Sequence, residues 1–365
     1  MKILHLNTEK TWRGGEQQTL YLLQSLKQRH ITSHLVCQPA SPLAKIARAA
    51  DIEVFPIAMR GETDLAAARH LRKLIRKFNY DILHSHTSHA HSLAYLASIG
   101  YHTCRLVTRR VDFSIFRRSF LRLSALKYRR MADYYIAISH KIKQVMVADG
   151  IAADRIFVVH SGVDLQRFEN DSSDHLIGEF NLKPDEKVVI NVAHLAGHKG
   201  QQVLVRAIPL VVEKFPSVRF FIVGKGELLA ELKALAASLG ITRELVFTGF
   251  RSDVGAFYKI ADLFVMSSVQ EGLGTAVLDA LAQRKTVVAT ACGGIPEIIR
   301  DGETGRLVAP ADPQAMADGI IEMLSRPAAA RAMADGGRTM VKNNFSVNVM
   351  VDKNIEVYER VLRYG

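Results

Sequence analysis

The chain has 365 residues, 48% hydrophobic and 23% charged, with 24 Gly, 10 Pro and a formal net charge of +12. This ordinary globular composition excludes a disordered, collagenous or mini-protein chain, and at roughly 100–200 residues per domain the length predicts two domains. No apolar run approaches the ~18–20 residues of a bilayer span, and the opening MKILHLNTEK lacks the apolar core and cleavage site of a signal peptide.

Lys2–Leu6 reads as a strand, Gly14–Gly15 as a turn and Glu16–Gln28 as a helix. Strand-like runs follow at Ser33–Cys37, Glu53–Ile57, Ile82–His84, Arg105–Thr108, Tyr135–Ile138 and Ile156–Val159. Helical patterns lie between them near 42–50, 64–77, 88–98 and 140–148. The pattern lapses near 165–185, a polar stretch expected to hold the domain boundary. It then restarts, with strands at Val188–Val192, Arg219–Val223, Leu245–Thr248, Leu263–Met266 and Thr286–Ala289. Helices are expected at 199–213, 226–239, 274–283, 313–325 and 328–342, and a last amphipathic run covers Ser346–Arg363. Such alternation is the signature of βαβ units around parallel sheets. The expected fold class is α/β: two tandem Rossmann-like, doubly wound domains facing across a cleft, 1–168 and 169–345. The terminal helix, 346–365, is expected to pack back toward the first domain.

Charge and cysteine usage add two expectations. Residues 1–170 carry a net +13 and the remainder −1, which points to an anionic partner for the first domain alone, or to a merely solubilising surface. No zinc-finger spacing, RNP-like strand or basic coiled coil supports nucleic acid; an anionic membrane face or a phosphorylated acceptor fits better. Three scattered cysteines, Cys37, Cys104 and Cys292, fit unpaired thiols in a reducing compartment, so the expected location is cytoplasmic.

Ligands of doubly wound sheets lie beyond the carboxyl ends of the strands, so the loops there carry the candidates. Arg13-Gly14-Gly15-Glu16 offers close backbone approach and a helix start to a phosphate, or is an ordinary turn; it is not a G-x-G-x-x-G dinucleotide fingerprint. Asp81–His91 holds His84, His86, His89 and His91. A metal reading finds no Cys or carboxylate among the histidines of 84–91 to complete it, and a cleft-lining or structural histidine is preferred. Lys199 opens a helix, where a cation opposes the helix dipole unless an anion binds there too. The stretch Gln270–Ala282 places Glu271 in a two-glycine loop and Asp279 inside the following helix. Its N–H groups near Gly274–Ala276 make a phosphate seat, and Asp279 needs a hydroxyl or cation partner.

These pieces together resemble the retaining family-4 glycosyltransferases of GT-B fold. The resemblance rests on EGLGTAVLDALAQRKTVVATACGGIPEIIRDGETGRLVAP, with GGEQQ, HSGVD, HKGQ, FIVGKGE and FTGFRSDV in order along the whole chain. It implies that Glu271 contacts the hydroxyls of the donor sugar and that Asp279 binds the ribose diol. It assigns sugar and phosphate contacts to Gly272, Leu273, Gly274 and Thr275, and pyrophosphate neutralisation to Lys199. Gly14, Gly15 and Gly224 would also border the donor, with Phe250 and Arg251 beside the base. The sequence departs from the family pattern at three places. Asp279 stands where Glu is usual, His194 where an Arg is frequent, and Thr108-Arg109-Arg110 where a histidine often borders the sugar. Arg109 or Arg110, with His86, would then serve the phosphate or acceptor side.

The resemblance implies transfer from a nucleotide-sugar, such as a UDP- or GDP-sugar, to a glycan or lipid-linked acceptor in lipopolysaccharide or other envelope synthesis. It implies front-face attack without a metal or other cofactor, and the sequence holds no Asp-x-Asp. Residues 113–131 contain Arg117, Arg118, Arg122, Lys127, Arg129 and Arg130 and no acid, a pattern that fits an amphipathic helix at an anionic membrane or an ordinary surface helix. The rival readings are a nucleotide-sugar epimerase of the same architecture and a non-catalytic sugar-nucleotide-binding partner.

Overall fold

The computed structural model describes residues 1–114, 123–169 and 171–364. In chain order the elements are β1 (Lys2–Asn7), α1 (Gly14–Gln28), β2 (Thr32–Cys37), α2 (Pro42–Ala49), β3 (Val54–Pro56), α3 (Leu65–Phe78), β4 (Ile82–Ser85), α4 (Ser88–Ser98), β5 (Cys104–Arg109), α5 (Leu123–Arg130), β6 (Tyr134–Ala137), α6 (His140–Ala148) and β7 (Ile156–Val158). They continue as α7 (Asp174–Glu179), β8 (Lys187–Val192), α8 (Gln201–Lys214), β9 (Val218–Val223), α9 (Leu229–Ser238), β10 (Leu245–Gly249), α10 (Val254–Ile260), β11 (Leu263–Met266), α11 (Thr275–Ala282), β12 (Thr286–Thr290), β13 (Arg306–Val308), α12 (Pro313–Ser325), α13 (Pro327–Asn344) and α14 (Val347–Tyr364). The chain forms two compact units, Met1–Gly162 with Val347–Gly365, and Val163–Ser346.

The first unit is a seven-stranded parallel sheet in the order β3-β2-β1-β4-β5-β6-β7. Strand period sorts its core. On β1, Leu4 and Leu6 pack with Leu71 and Ile75 of α3 and Leu93 of α4. Ile3 points the other way, to Leu22 and Leu26 of α1 and to Val351 and Tyr358 of α14. The closing helix is thus an integral layer of the first unit. The second unit is a six-stranded parallel sheet in the order β10-β9-β8-β11-β12-β13. Val189, Phe220, Val265 and Val288 of its strands pack with Leu204 and Ile208 of α8 and Met316 and Ile320 of α12. The two parallel sheets are the expected α/β class. Among the described residues no helix is long and apolar enough to cross a membrane.

Every expected strand is present, and three elements escaped the sequence reading: β13, α7 and α10. The units divide at Gly162/Val163, ahead of the polar stretch near 165–185. That stretch is no free linker. Phe168 packs at a tilt against Tyr258, ring centres 5.5 Å apart, and Phe180 meets Phe221 edge-on at 4.9 Å. Val163 donates its N–H to the Phe345 carbonyl at 2.8 Å, so the second unit begins and ends side by side.

Part of the basic segment 113–131 lies outside the described residues, including Arg117, Arg118 and Arg122. Lys127, counted there as a surface charge, is buried. Its Nζ donates to Glu62 Oε1 at 2.6 Å and to the Ser88 carbonyl at 2.9 Å.

The α14 layer carries one buried polar tie. His84 Nδ1 lies 2.7 Å from Tyr358 Oη, and its Nε2 lies 2.7 Å from Thr108 Oγ1. Tyr358→Phe strands one buried imidazole nitrogen, at a cost of about 1–3 kcal/mol. Amide exchange in α14 and β4 is expected to accelerate roughly tenfold or more. Unchanged exchange would mean that the hydroxyl contributes nothing to holding the helix.

Candidate functional site

In each sheet the chain runs outward in both directions from one pair of neighbours: β1 and β4 in the first unit, β8 and β11 in the second. At such a switch point the connections leave in opposite directions, and the crevice beyond the strand ends is open to a ligand. Most of the sequence candidates fall on or just beyond the loops after these four strands; Gly224 follows β9, Phe250 and Arg251 follow β10, and Arg109 and Arg110 lie at the end of β5.

In the second unit Lys199 follows β8 and Glu271 follows β11. Lys199 Nζ donates to Glu271 Oε2 at 2.5 Å, with the two side chains only 18% and 13% exposed. Ser268 Oγ donates to the same oxygen at 3.2 Å. The Glu271 loop is therefore less open than its glycines imply. Its backbone is clamped from the loop after β12, where Gly294 N–H donates to the Glu271 carbonyl at 3.0 Å. Gly293 has φ +55°, and a Cβ there would stand 1.7 Å from that carbonyl oxygen. On the Lys199 side, Gly200 has φ +61°, and its Cβ would stand 2.2 Å from the Ser267 carbonyl oxygen. Ser267 Oγ donates to the Lys199 carbonyl at 3.1 Å. Glycine at these two points is what lets three loops close around one ion pair.

Gly272, Leu273 and Gly274 are buried and lead into Thr275, the first residue of α11. The first turn of α11 holds no acid, so its positive dipole end is uncompensated from within the helix. Gly224, after β9, backs onto the Ala193 carbonyl, where a Cβ would stand 1.9 Å away.

Asp279 lies inside α11 and meets Arg167 Nη1 at 3.5 Å. Burial pushes its carboxyl up to about 6, against the pull of the Arg167 guanidinium and with a further push from Asp164. Arg167, from the stretch read as a boundary, stacks over Phe168 at 4.7 Å. It is the partner that Asp279 was expected to need, and a polar context hid it in the sequence.

The remaining donor-side candidates separate. Phe250 is 70% exposed, with Lys225 Nζ 5.4 Å from its ring centre. Its neighbour Arg251 is committed elsewhere. The guanidinium bonds both oxygens of Glu179 at 2.8 and 2.9 Å and both of Asp253 at 2.9 and 2.7 Å. His175 adds a 2.8 Å contact to Asp253, and these partners hold the Asp253 carboxyl well below its usual range. Arg251 thus ties the loop after β10 to α7, rather than presenting a free fork to a base. His194 is exposed, with Nε2 3.3 Å from Glu227 Oε2, and its carbonyl accepts from Gln201 Nε2 at 3.0 Å.

In the first unit, Gly14 and Gly15 open α1. Glu16 is buried and accepts from Arg13 N–H and Asn7 Nδ2, each at 3.0 Å. Arg110 crosses this helix start; a Cβ on Gly15 would stand 3.4 Å from its Cδ. Burial pulls the Arg110 pKa down to about 10, opposed by Glu16. Arg109 turns away, its Nη1 donating to Tyr128 Oη at 3.3 Å and its Nη2 to the Phe113 carbonyl at 2.5 Å. Of the two arginines, only Arg110 lies at the helix start.

His86 is buried, its Nε2 3.0 Å from His5 Nδ1. His5, unremarked in the sequence, sits in register with His84 across β1 and β4. The nitrogens of His5, His84 and His86 come within 4.8 Å of one another. Burial lowers all three pKa values, that of His5 to about 3. Both nitrogens of His84 are already engaged by Tyr358 and Thr108, so the cluster reads as a neutral hydrogen-bonded group. His89 is exposed, and His91 is buried edge-on against Tyr128.

Comparison with known proteins identifies the family and the fold. Residues 173–340 match the family model "Glycosyl transferases group 1", and 12–167 match "Glycosyltransferase Family 4". The chain is 31% identical over 265 residues to the "Putative glycosyltransferase EpsD" of Bacillus subtilis, covering 69% of each protein. Its fold is similar to a glycosyltransferase of Rickettsia africae, with a TM-score of 0.86, 24% identity, and 100% and 99% of the two chains covered. It is equally similar to Anabaena Alr3699/HepE, solved in complex with UDP and glucose, with a TM-score of 0.86, 20% identity, and 99% and 100% covered.

The raised pKa of Asp279 has a signed consequence. The folded protein holds that proton up to about pH 6, whereas the unfolded chain releases it near 3.8. The folded state therefore binds more protons in this window, and stability falls as pH rises through it. Asp279→Asn keeps the shape without the charge. Urea titration at pH 5 and 7.5 is expected to show a flatter pH dependence and a gain on the order of 2 kcal/mol at the higher pH. A wild-type pH dependence in the variant would contradict the assignment.

Proposed function

We propose, for a chain that belongs to the family-4 glycosyltransferases of GT-B fold, that it moves a sugar from a UDP-sugar to a glycan or lipid-linked acceptor in cell-envelope synthesis, with retention and without a metal. The observation that carries the reading is the Lys199–Glu271 pair, largely buried at the switch point of the second sheet. The UDP bound by Anabaena HepE supports the choice of base.

In this reading the bond between the anomeric carbon and the phosphate oxygen breaks, and the sugar becomes oxocarbenium-like. Negative charge gathers on the departing diphosphate. Lys199 and the α11 N-terminus stabilise that charge, which lowers the barrier because both are in place beforehand. Glu271 orients the sugar hydroxyls from beside the diphosphate. The acceptor hydroxyl attacks the face from which the diphosphate leaves, and a phosphate oxygen takes its proton. Asp279 and Arg167 hold the ribose end, and Phe250 offers an exposed face to the base. The first unit takes the acceptor, and the +13 surplus of residues 1–170 suits an anionic membrane face.

Glu271→Gln keeps the side-chain volume and a hydrogen-bonding oxygen. Transfer from a UDP-sugar is expected to fall by at least ~100-fold, equivalent to roughly 2.7 kcal/mol, with UDP binding retained. Near-normal transfer would remove Glu271 from the reaction. Activity is also expected to survive EDTA; loss on chelation, restored by Mg²⁺ or Mn²⁺, would overturn the metal-free step.

A further inference from the structure

The outer face of α3 is built of one charge sign. Arg69, Arg72, Lys73, Arg76 and Lys77 recur at spacings of three and four, so they share one side of the helix, and all are exposed. The opposite side, Ala67, Ala68, Leu71 and Ile75, is buried. No acid occurs within the helix. The N-cap Asp64 turns its carboxylate onto Ala67 N–H and Arg60 N–H, each at 3.0 Å. Among the described residues, Arg69, Lys73, Arg76 and Lys77 have no carboxylate partner.

Local stability does not account for this face. Arg76 and Lys77 sit in the last turn, where cations favour the helix dipole, but Arg69, Arg72 and Lys73 lie earlier. Like charges at these spacings repel and weaken a helix. The free protein bears that repulsion unrelieved, and a counter-surface of opposite sign would relieve it.

The form of the patch selects the surface. The stripe is straight and about 12 Å long. Arg72 Nη1 donates to the Ile99 carbonyl at 2.6 Å, which places the 53%-exposed Ile99 at its margin. Leu65, 60% exposed, stands at the start of the same helix. Of the rings that meet cations of the stripe, Tyr101 is covered by the Arg72 guanidinium at 4.7 Å, and Phe78 has Lys77 Nζ 4.9 Å from its centre. These two rings are capped by the face's own cations and are not free platforms for single-stranded bases. A row of cations with apolar side chains at its edge fits a plane of anionic lipid headgroups.

We propose that α3 is the surface by which the first unit docks on an anionic phospholipid bilayer. The proposal deepens the functional reading above, because it assigns the membrane contact to a named helix in place of residues 113–131.

The test uses the full chain and co-sedimentation with phosphatidylglycerol-rich and pure phosphatidylcholine vesicles, at low salt and at ~0.15 M. The wild type is expected to bind the anionic vesicles alone, and less at higher salt. A Lys or Arg at such a surface is worth about a factor of five. Arg69→Gln with Lys73→Gln and Arg76→Gln should therefore weaken binding about a hundredfold. Helicity and transfer from a UDP-sugar to a small soluble acceptor should not change, so loss of docking is read separately from loss of the proposed activity. The proposal is overturned if the triple variant binds vesicles like the wild type. It is equally overturned if only Arg117→Gln with Arg118→Gln and Arg122→Gln abolishes binding, or if the wild type binds duplex DNA and no vesicle.

Discussion

The second unit is organised around one ion pair. Lys199 and Glu271 are mostly withdrawn from water, and a charge so placed needs its partner to offset the loss of hydration. Removing either one leaves the other stranded. The surrounding backbone closes tightly on this pair. Gly200 brings the loop after β8 against Ser267, and Gly293 brings the loop after β12 against Glu271. Ser268 supplies a further donor to the carboxylate. The result is a cation and an acid held beside the start of α11, which is what departure of a sugar-linked diphosphate calls for.

The first unit applies the same topology to different ends. Its switch point also brings a helix start, α1, beside a second loop, where several buried groups pair with one another while His5 Nε2, His86 Nδ1 and Arg110 Nε have no partner among the described residues. Glu16 caps α1, Arg110 crosses it, and the histidines of β1 and β4 stay neutral through burial. A row of this unit's exposed cations, Arg69, Lys73, Arg76 and Lys77, lies on α3. The division of charge seen along the chain is thus a division of surface as well.

Much of this was legible in the sequence. Short β-branched and apolar runs marked every strand but β13, whose three residues follow a glycine turn and offer no period to read. Lys199, Glu271 and Asp279 stood out in the sequence as a cation ahead of a helix, an acid in a glycine loop and an acid inside an apolar helix, and the structure places Lys199 just before α8 and against Glu271. What stayed hidden depended on tertiary pairing. Arg167 looked like one polar residue among many, and only folding brings it to Asp279. His5 gains meaning through its register with His84, and Arg251 loses its apparent freedom to Glu179 and Asp253. Lys127 was counted with a basic face that Glu62 withdraws it from. Single-residue types and spacings show where a site lies; they do not show which of its charges are already spent.

The central claim is that Lys199 is the cation that receives the diphosphate. Calorimetric titration of UDP into the wild type, Lys199→Met, and Lys199→Met with Glu271→Gln tests it directly, since the double variant leaves no stranded acid to disturb the fold. A charge-assisted contact to phosphate contributes roughly 1.5–3 kcal/mol, so both variants should bind UDP at least ~10-fold more weakly than the wild type. Wild-type affinity in the folded double variant would contradict the account.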